Sequence, residues 1–226
     1  MTLSIVIPTL NEAAGIAAAL EALAPLRARG AEVIVVDGGS RDGTTDVARP
    51  LADFVIAAPR GRAVQMNAGA AVANGDILLF LHADTRLPAN ADVLIRDALA
   101  QSPRVWGRFD LRFAGNALRL VAAMMNMRSH LTGIATGDQA MFVARAAFAR
   151  AGGFPAIALM EDVALSARLK RLSRPLCLTA RVVTSPRRWQ AHGALRTVLL
   201  MWRLRLAFFL GADPGRLARA YGHGAD

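Results

Sequence analysis

The sequence predicts an α/β domain: a Rossmann-like, mostly parallel sheet with flanking helices, followed by a C-terminal helical tail. Three observations predict it. Short apolar runs at 3–7, 32–36, 54–56 and 77–81 alternate with helical patterns, and such alternation implies right-handed crossovers and parallel strands. The 226 residues are 54% hydrophobic, which suits one full core and is somewhat too little for two. Two of the runs stop on a carboxylate, Asp37 and Asp84, at the strand ends where open α/β sheets bind ligands.

Taken in order, residues 3–7 read as a buried strand that ends at Pro8, Thr9, Leu10, Asn11 and Glu12. Asn11 is placed as N-cap of a helix over 13–24, with Glu12 in its first turn and Ile16, Leu20 and Leu23 on one face. The run 32–36 is a second strand ending on Asp37. A turn rich in glycine, 38–45, leads to a short helix with Val47 and Ala48. Residues 54–56 form a third strand, and a helix holding Val64, Gln65, Asn67 and Ala71 follows Arg60, Gly61 and Arg62. The fourth strand, 77–81, is apolar throughout, as a strand buried on both faces is, and it stops at His82, Ala83 and Asp84.

The second half is less regular. A helix covers 90–100. Residues 105–113 alternate apolar and polar, as a half-exposed strand does. Residues 117–127 form an apolar helix containing Met124, Met125 and Met127. A core position is the preferred reading for them; a surface for a flexible apolar ligand is the alternative. Gly137, Asp138 and Gln139 precede a strand at 140–143. A helix near Ala146 ends at Gly152 and Gly153, and Glu161 and Asp162 open another through Leu172. Two short strands, 176–178 and 181–184, precede Arg187, Arg188 and Trp189. The tail helix 195–210 carries Leu195, Leu199, Trp202, Leu206 and Phe209 on one stripe. Packing on the domain is placed slightly ahead of lying on a membrane surface. The expected division is a domain over 1–190 and a helical tail over 191–226.

Charge narrows the partners. Lys and Arg number 27 against 17 Asp and Glu, a net charge of +10, and nearly all the surplus is arginine. That suits phosphate-rich ligands, nucleic acid or an anionic membrane. The single cysteine, Cys177, excludes an internal disulfide framework and fits a reducing compartment. The N-terminus enters a strand at once, so no signal peptide is expected. No window of about 20 residues is free of charge, so no spanning helix is expected. The expected location is cytoplasmic, peripheral on the inner face of the membrane if the tail touches lipid.

The strand ends suggest chemistry before any relative is considered. Asp37 can accept hydrogen bonds from a base or a ribose hydroxyl, and Pro8, Thr9 and Glu12 close the other side of that pocket. Arg60 and Arg62 can approach phosphates, and Asp84 can hold a divalent cation bridging to them. No G-x-G-x-x-G turn follows the first strand, which argues against an ordinary dinucleotide fold. The missing G-x-x-x-x-G-K-[ST] argues against a P-loop ATPase.

These motifs, 5–12, 35–44, His82-Ala83-Asp84 and Glu161-Asp162, closely resemble the family 2 glycosyltransferases of GT-A fold, over about residues 3–190. The length and the Arg-Arg-Trp ending are similar to a small bacterial subgroup of that family. The resemblance implies inverting transfer from a nucleotide diphosphate sugar to a hydroxyl or carboxyl acceptor, small or lipid-like, with Mn or Mg as cofactor. It implies Asp37 against the nucleoside, Asp84 as the metal-binding carboxylate of D-x-D, and Asp162 as general base with Glu161 the alternative. Asn11, Gly39, Asn67, His82 and Ala83 join the nucleotide-sugar pocket. His82 stands where the first Asp of D-x-D would be, either assisting the metal or merely satisfied at the strand end. Asp138 falls on the acceptor side. Arg188 and Trp189 resemble the end of Gln-x-x-Arg-Trp, without its glutamine; Trp189 could stack on the acceptor and an arginine could hold the leaving diphosphate. His192 is kept out of the metal set.

Two competing readings remain. A nucleotidyltransferase of similar fold would need a glycine-rich first loop with a lysine, which Pro8 to Asn11 do not provide. A non-catalytic basic module could bind nucleic acid or anionic lipid. Nucleic acid is not expected, because Asp37, Asp84 and Asp162 would repel its phosphates in the absence of metal.

Overall fold

A computed structural model describes residues 1–222, apart from the side chains of Arg188 and His192. The parallel half follows the sequence closely. Strands β1 (Leu3–Thr9), β2 (Glu32–Asp37), β3 (Phe54–Ala57) and β4 (Ile77–Phe80) lie in the order β3-β2-β1-β4, every pair parallel. Helices α1 (Ala13–Glu21), α2 (Ala24–Ala28), α3 (Thr44–Ala48) and α4 (Arg62–Val72) make the crossovers. Side chains alternate across a strand, so Ile5, Ile7, Val33 and Val35 bury with Ile16 and Leu20, while Val6, Ile34 and Val36 bury with Met66. Both faces are covered, which is why the strands read as unbroken apolar runs. Gly69 lets α4 lie close on the sheet: a Cβ there would collide with Val6.

Two details of this half differ from expectation. The helix expected over 13–24 breaks before Ala24, because Pro25 sits in the first turn of α2 and cannot continue a preceding helix. Asn11 is not the cap of α1. It adopts φ 54°, and Glu12 takes the cap position without a side-chain bond. The first amides of α1 are satisfied from the next loop instead: Glu12 N–H donates to Thr44 Oγ1 at 2.9 Å and Ala13 N–H to Asp42 Oδ2 at 2.9 Å.

The second half extends the sheet with mixed directions. It adds β5 (Thr85–Arg86), α5 (Ala91–Ala100), β6 (Trp106–Phe113), α6 (Arg119–Thr132), a 3₁₀ turn (Gly137–Gln139) and β7 (Phe142–Ala144). Then come α7 (Arg145–Arg150), α8 (Glu161–Leu169), β8 (Leu176–Thr184), α9 (Arg187–His192), α10 (Ala194–Phe209) and α11 (Pro214–Tyr221). The eight-stranded order is β3-β2-β1-β4-β7-β6-β8-β5.

Four expectations are corrected here. Strand β6 is not half-exposed. Most of its polar face lies under α6, where fully buried Arg108 meets Asp110, Ser129 Oγ at 3.1 Å and the Asn126 carbonyl at 3.3 Å, and only Arg112 is exposed. The two short strands at 176–184 are one, β8, with a register shift opposite Phe109 and Asp110. The methionines are not all core: Met124 is 38% and Met127 60% exposed. The tail helix packs, but not by the expected stripe. Leu204, buried with Leu159, Met160 and Leu217, marks its packed face. Leu195, Leu199, Leu206 and Phe209 point outward, and Trp202, 57% exposed, also lines the cavity at the carboxyl ends of β1 and β4. Among the described residues no helix is long and apolar enough to cross a membrane.

Candidate active site

The carboxyl ends of β1 and β4 open into a cavity of about 920 Å³. Pro8, Thr9, Leu10, Glu12 and the segment His82, Ala83, Asp84 form one wall, with Arg60 and Arg62 beside them. Asp138, Glu161 and Asp162 form the floor. Helix α6 and the tail close the far side, with Met124, Met127, Arg128, Met201, Trp202 and Arg205 among the lining. Residues far apart in the chain therefore meet in one cleft, of the size ligand sites usually have.

Not every expected side chain reaches it. Asp37 ends β2 at the same sheet edge, but it is 5% exposed and turned into its own loop. Its Oδ2 accepts from the Gly39 amide at 2.9 Å and the Ser40 amide at 2.8 Å, and Ser40 Oγ donates to its Oδ1. Asn11 Oδ1 accepts from the Arg41 amide at 2.9 Å, so Asn11 and Gly39 shape the loop rather than line the cavity. Asn67 is placed elsewhere: it clamps the backbone of Phe154, donating to its carbonyl at 2.8 Å and accepting from its amide at 3.0 Å. Trp189 lines the cavity, packed edge-on against Phe113 with centroids 5.4 Å apart. The side chain of Arg188 lies outside the described residues, as does that of His192.

Gln65, which the sequence marks only as a helix residue, ties the strand ends together. Its Nε2 donates to the carbonyls of Thr9 and Val36, both at 2.8 Å. A lone amide on a buried helix face was the signal. Arg187 is a second addition: its Nη2 is 3.5 Å from Glu12 Oε2 and 3.9 Å from Asp84 Oδ2, a cation placed between two carboxylates.

His82 packs against Gly137, where a Cβ would collide with its Nε2, and its Nδ1 is 3.3 Å from Asp138 Oδ1. It is thus engaged by a carboxylate across the cleft, which fits the reading of a satisfied strand-end histidine. Burial pushes the Asp138 carboxyl upward, but bonding to His82 and the nearby charges of Arg62 and Arg205 outweigh it and leave it below its ordinary value.

The floor is set by Met160, held at φ 69°, a conformation that costs a bulky residue on the order of 1 kcal/mol or more. The turn presents Glu161 and Asp162 to the cavity at the start of α8. Asp162 Oδ2 accepts from the Gly137 amide at 2.8 Å and its Oδ1 from the Val163 amide at 2.7 Å. Glu161 is 6% exposed; burial, then the charge of Asp162, pushes its carboxyl up to about 7.

Opposite stand two arginines. Nε and Nη2 of Arg128 and Nε of Arg205 are buried with no hydrogen-bond partner among the described residues. A buried donor left unpaired costs roughly 1–3 kcal/mol. Burial and then the charge of Arg205 lower Arg128 to about 10, and burial lowers Arg205 as well.

For a divalent metal, Asp84 is the fitting donor: an oxygen ligand, one-third exposed, at the strand end. Among the described residues no three His, Cys, Asp or Glu gather to hold an ion by themselves. A hard cation here would need phosphate oxygens to complete its shell, as Mg²⁺ commonly does.

The eight-stranded α/β sheet with such a cleft at its carboxyl edge has the GT-A fold. The sequence then places it: a family described as glycosyl transferase family 2 matches residues 4–149, more than half the chain, and the chain belongs to that family. Glu161 and Asp162 lie beyond the matched residues. A PGL/p-HBAD biosynthesis glycosyltransferase of Mycobacterium tuberculosis is 41% identical over 102 residues, 42% of this chain and 40% of that protein. The succinoglycan biosynthesis protein ExoA of Rhizobium meliloti is 39% identical over 106 residues, 42% of this chain and 32% of ExoA. The chain thus spans two-fifths or less of the length of these relatives. Among solved structures, S. aureus TarS 1–349 in complex with UDP superposes with TM-score 0.69 at 18% identity, covering 82% of this chain and 60% of TarS 1–349. The mannosyltransferase PcManGT of Pyrobaculum calidifontis, in complex with GDP-Man and Mn²⁺, gives 0.62 at 24% identity, covering 97% of this chain and 68% of its own.

Proposed function

We propose that this glycosyltransferase moves a sugar from a nucleotide diphosphate sugar to an acceptor hydroxyl with inversion, and that Asp162 is the general base. The observation that carries the reading is the convergence of Asp84, on one wall, and Asp162, on the floor, in one cavity. The nucleoside would lie along Pro8, Thr9 and Glu12, above the loop that Asp37 holds. Arg60 and Arg62 would face the diphosphate. The acceptor oxygen attacks the anomeric carbon, its proton passes to Asp162, and the bond from that carbon to the diphosphate oxygen breaks. Two backbone amides fix the Asp162 carboxylate, which keeps it oriented for this transfer. Asp84 and the diphosphate oxygens would hold Mn²⁺ or Mg²⁺, which would supply charge neutralisation for the leaving group. The fit of solved structures holding UDP, or GDP-Man with Mn²⁺, supports donor and metal.

The test is turnover on a panel of sugar nucleotides with Asp162→Asn. Nucleotide binding is expected to persist while transfer falls by about 10²–10⁴, the usual worth of a general base. Full turnover in this variant would remove Asp162 from the role. The lipid-like acceptor and the peripheral, cytoplasmic location are part of the same proposal. The outward apolar stripe of α10 supports them. Flotation with anionic vesicles checks the location, and a protein that stays wholly with the aqueous fraction contradicts it.

A further inference from the structure

The far side of the cavity carries features that the donor does not use. Arg128 on α6 and Arg205 on α10 feel each other's charge, and both present unpaired buried donors. Two guanidinium groups that have no hydrogen-bonded carboxylate among the described residues are complementary to an anion. The acidic groups that act on them at longer range, Asp162 and Asp138, belong to the floor and to the His82 pair.

Each arginine also adjoins an outward apolar stripe. Met124 is one turn from Arg128 and Leu131 follows it, exposed by 38% and 70%. Trp202 is one turn from Arg205 and 57% exposed, and it lines the cavity as well as the outer face of α10. Charge at depth and apolar surface at the mouth describe an amphiphile entering head first.

We propose that Arg128 and Arg205 bind the anionic head, a phosphate or a carboxylate, of an amphiphilic acceptor whose apolar chain leaves between Met124, Met127, Leu131 and Trp202. This rests on the glycosyltransferase reading, which makes the opposite wall the donor side. The head would then lie beside Asp162, with a hydroxyl of the acceptor within its reach.

Calorimetric titrations below the critical micelle concentration test it, with decyl phosphate, decanoate, decyl maltoside and inorganic phosphate as probes. At least one charged decyl compound is expected to bind about 10-fold or more tighter than decyl maltoside and than inorganic phosphate. R128M/R205M should lose the preference for charge and keep decyl maltoside binding. M127S/W202S should lose the advantage of the chain over inorganic phosphate. Equal affinity for charged and neutral amphiphiles, or a charge preference that survives R128M/R205M, overturns the proposal. UDP and GDP with Mn²⁺ are titrated into the same proteins. Nucleotide affinity unchanged within about 2-fold supports the assignment, and its loss in R128M/R205M would give the arginines to the donor diphosphate instead. A wild type that binds neither nucleotide would refute the donor reading, while the charge preference still decides what the arginines hold.

Discussion

The two walls of the cleft treat their polar groups in opposite ways. On the β1–β4 side the polar side chains behind the cavity are spent on structure, and Asp84, Arg60 and Arg62 line it. Asp37 holds the Gly39 and Ser40 amides, Gln65 joins the ends of β1 and β2, and Asn11 and Asp42 stitch one loop to the next. On the α6–α10 side, arginine donors are buried without a partner among the described residues, and large apolar side chains face outward. The framework of the first wall is held by its own hydrogen bonds. The second is complementary to an anion joined to an apolar chain. Glu161 and Asp162 lie between the two.

Asp162→Asn, at that boundary, carries the largest expected effect, the loss of about 10²–10⁴ in turnover set out above. Next comes the first wall. Gln65→Leu should destabilise the fold by about 2–4 kcal/mol, since it strands two buried carbonyls, and denaturant unfolding measures it. A loss under about 0.5 kcal/mol would show that this wall is not held as described.

Glu161 gives a pH test. Its carboxyl is raised in the folded state, so folding takes up a proton, and the associated stability is lost as pH rises from the ordinary glutamate range through about 7. Glu161→Gln should flatten that decline, with a difference on the order of 1–3 kcal/mol at pH 8. Parallel stability curves for the two proteins would place Glu161 in a less buried setting. The second wall gives the smallest effect and the opposite sign. Arg205→Met should stabilise the ligand-free protein by about 1 kcal/mol, because it removes a buried charge with an unpaired donor. A clear loss of stability would mean that Arg205 serves the fold.

The same contrast explains what could be read from sequence. The parallel half was legible because strands buried on both faces need unbroken apolar runs, and its strand ends led directly to Asp84. Glu161 and Asp162 were legible as a carboxylate pair opening a helix. The directions of the Asp37 and Asn11 side chains are not legible, because a motif marks the loop and not the way each group turns within it. Alternation in β6 reported two environments, and the polar one proved to be the underside of α6 rather than water. For α10 the pattern revealed a stripe without saying which stripe faced the protein. Arg128 and Arg205 carried no signal in an arginine-rich chain. Only the facing of two helices singles them out.

The most direct test of the two-wall cleft is a titration of UDP and GDP, with and without Mn²⁺, into wild type, Asp84→Asn and Asp162→Asn. Metal-dependent nucleotide binding should weaken by about 10-fold or more in Asp84→Asn and stay within about 2-fold of wild type in Asp162→Asn. Equal effects of the two substitutions, or binding indifferent to both metal and Asp84, would contradict it.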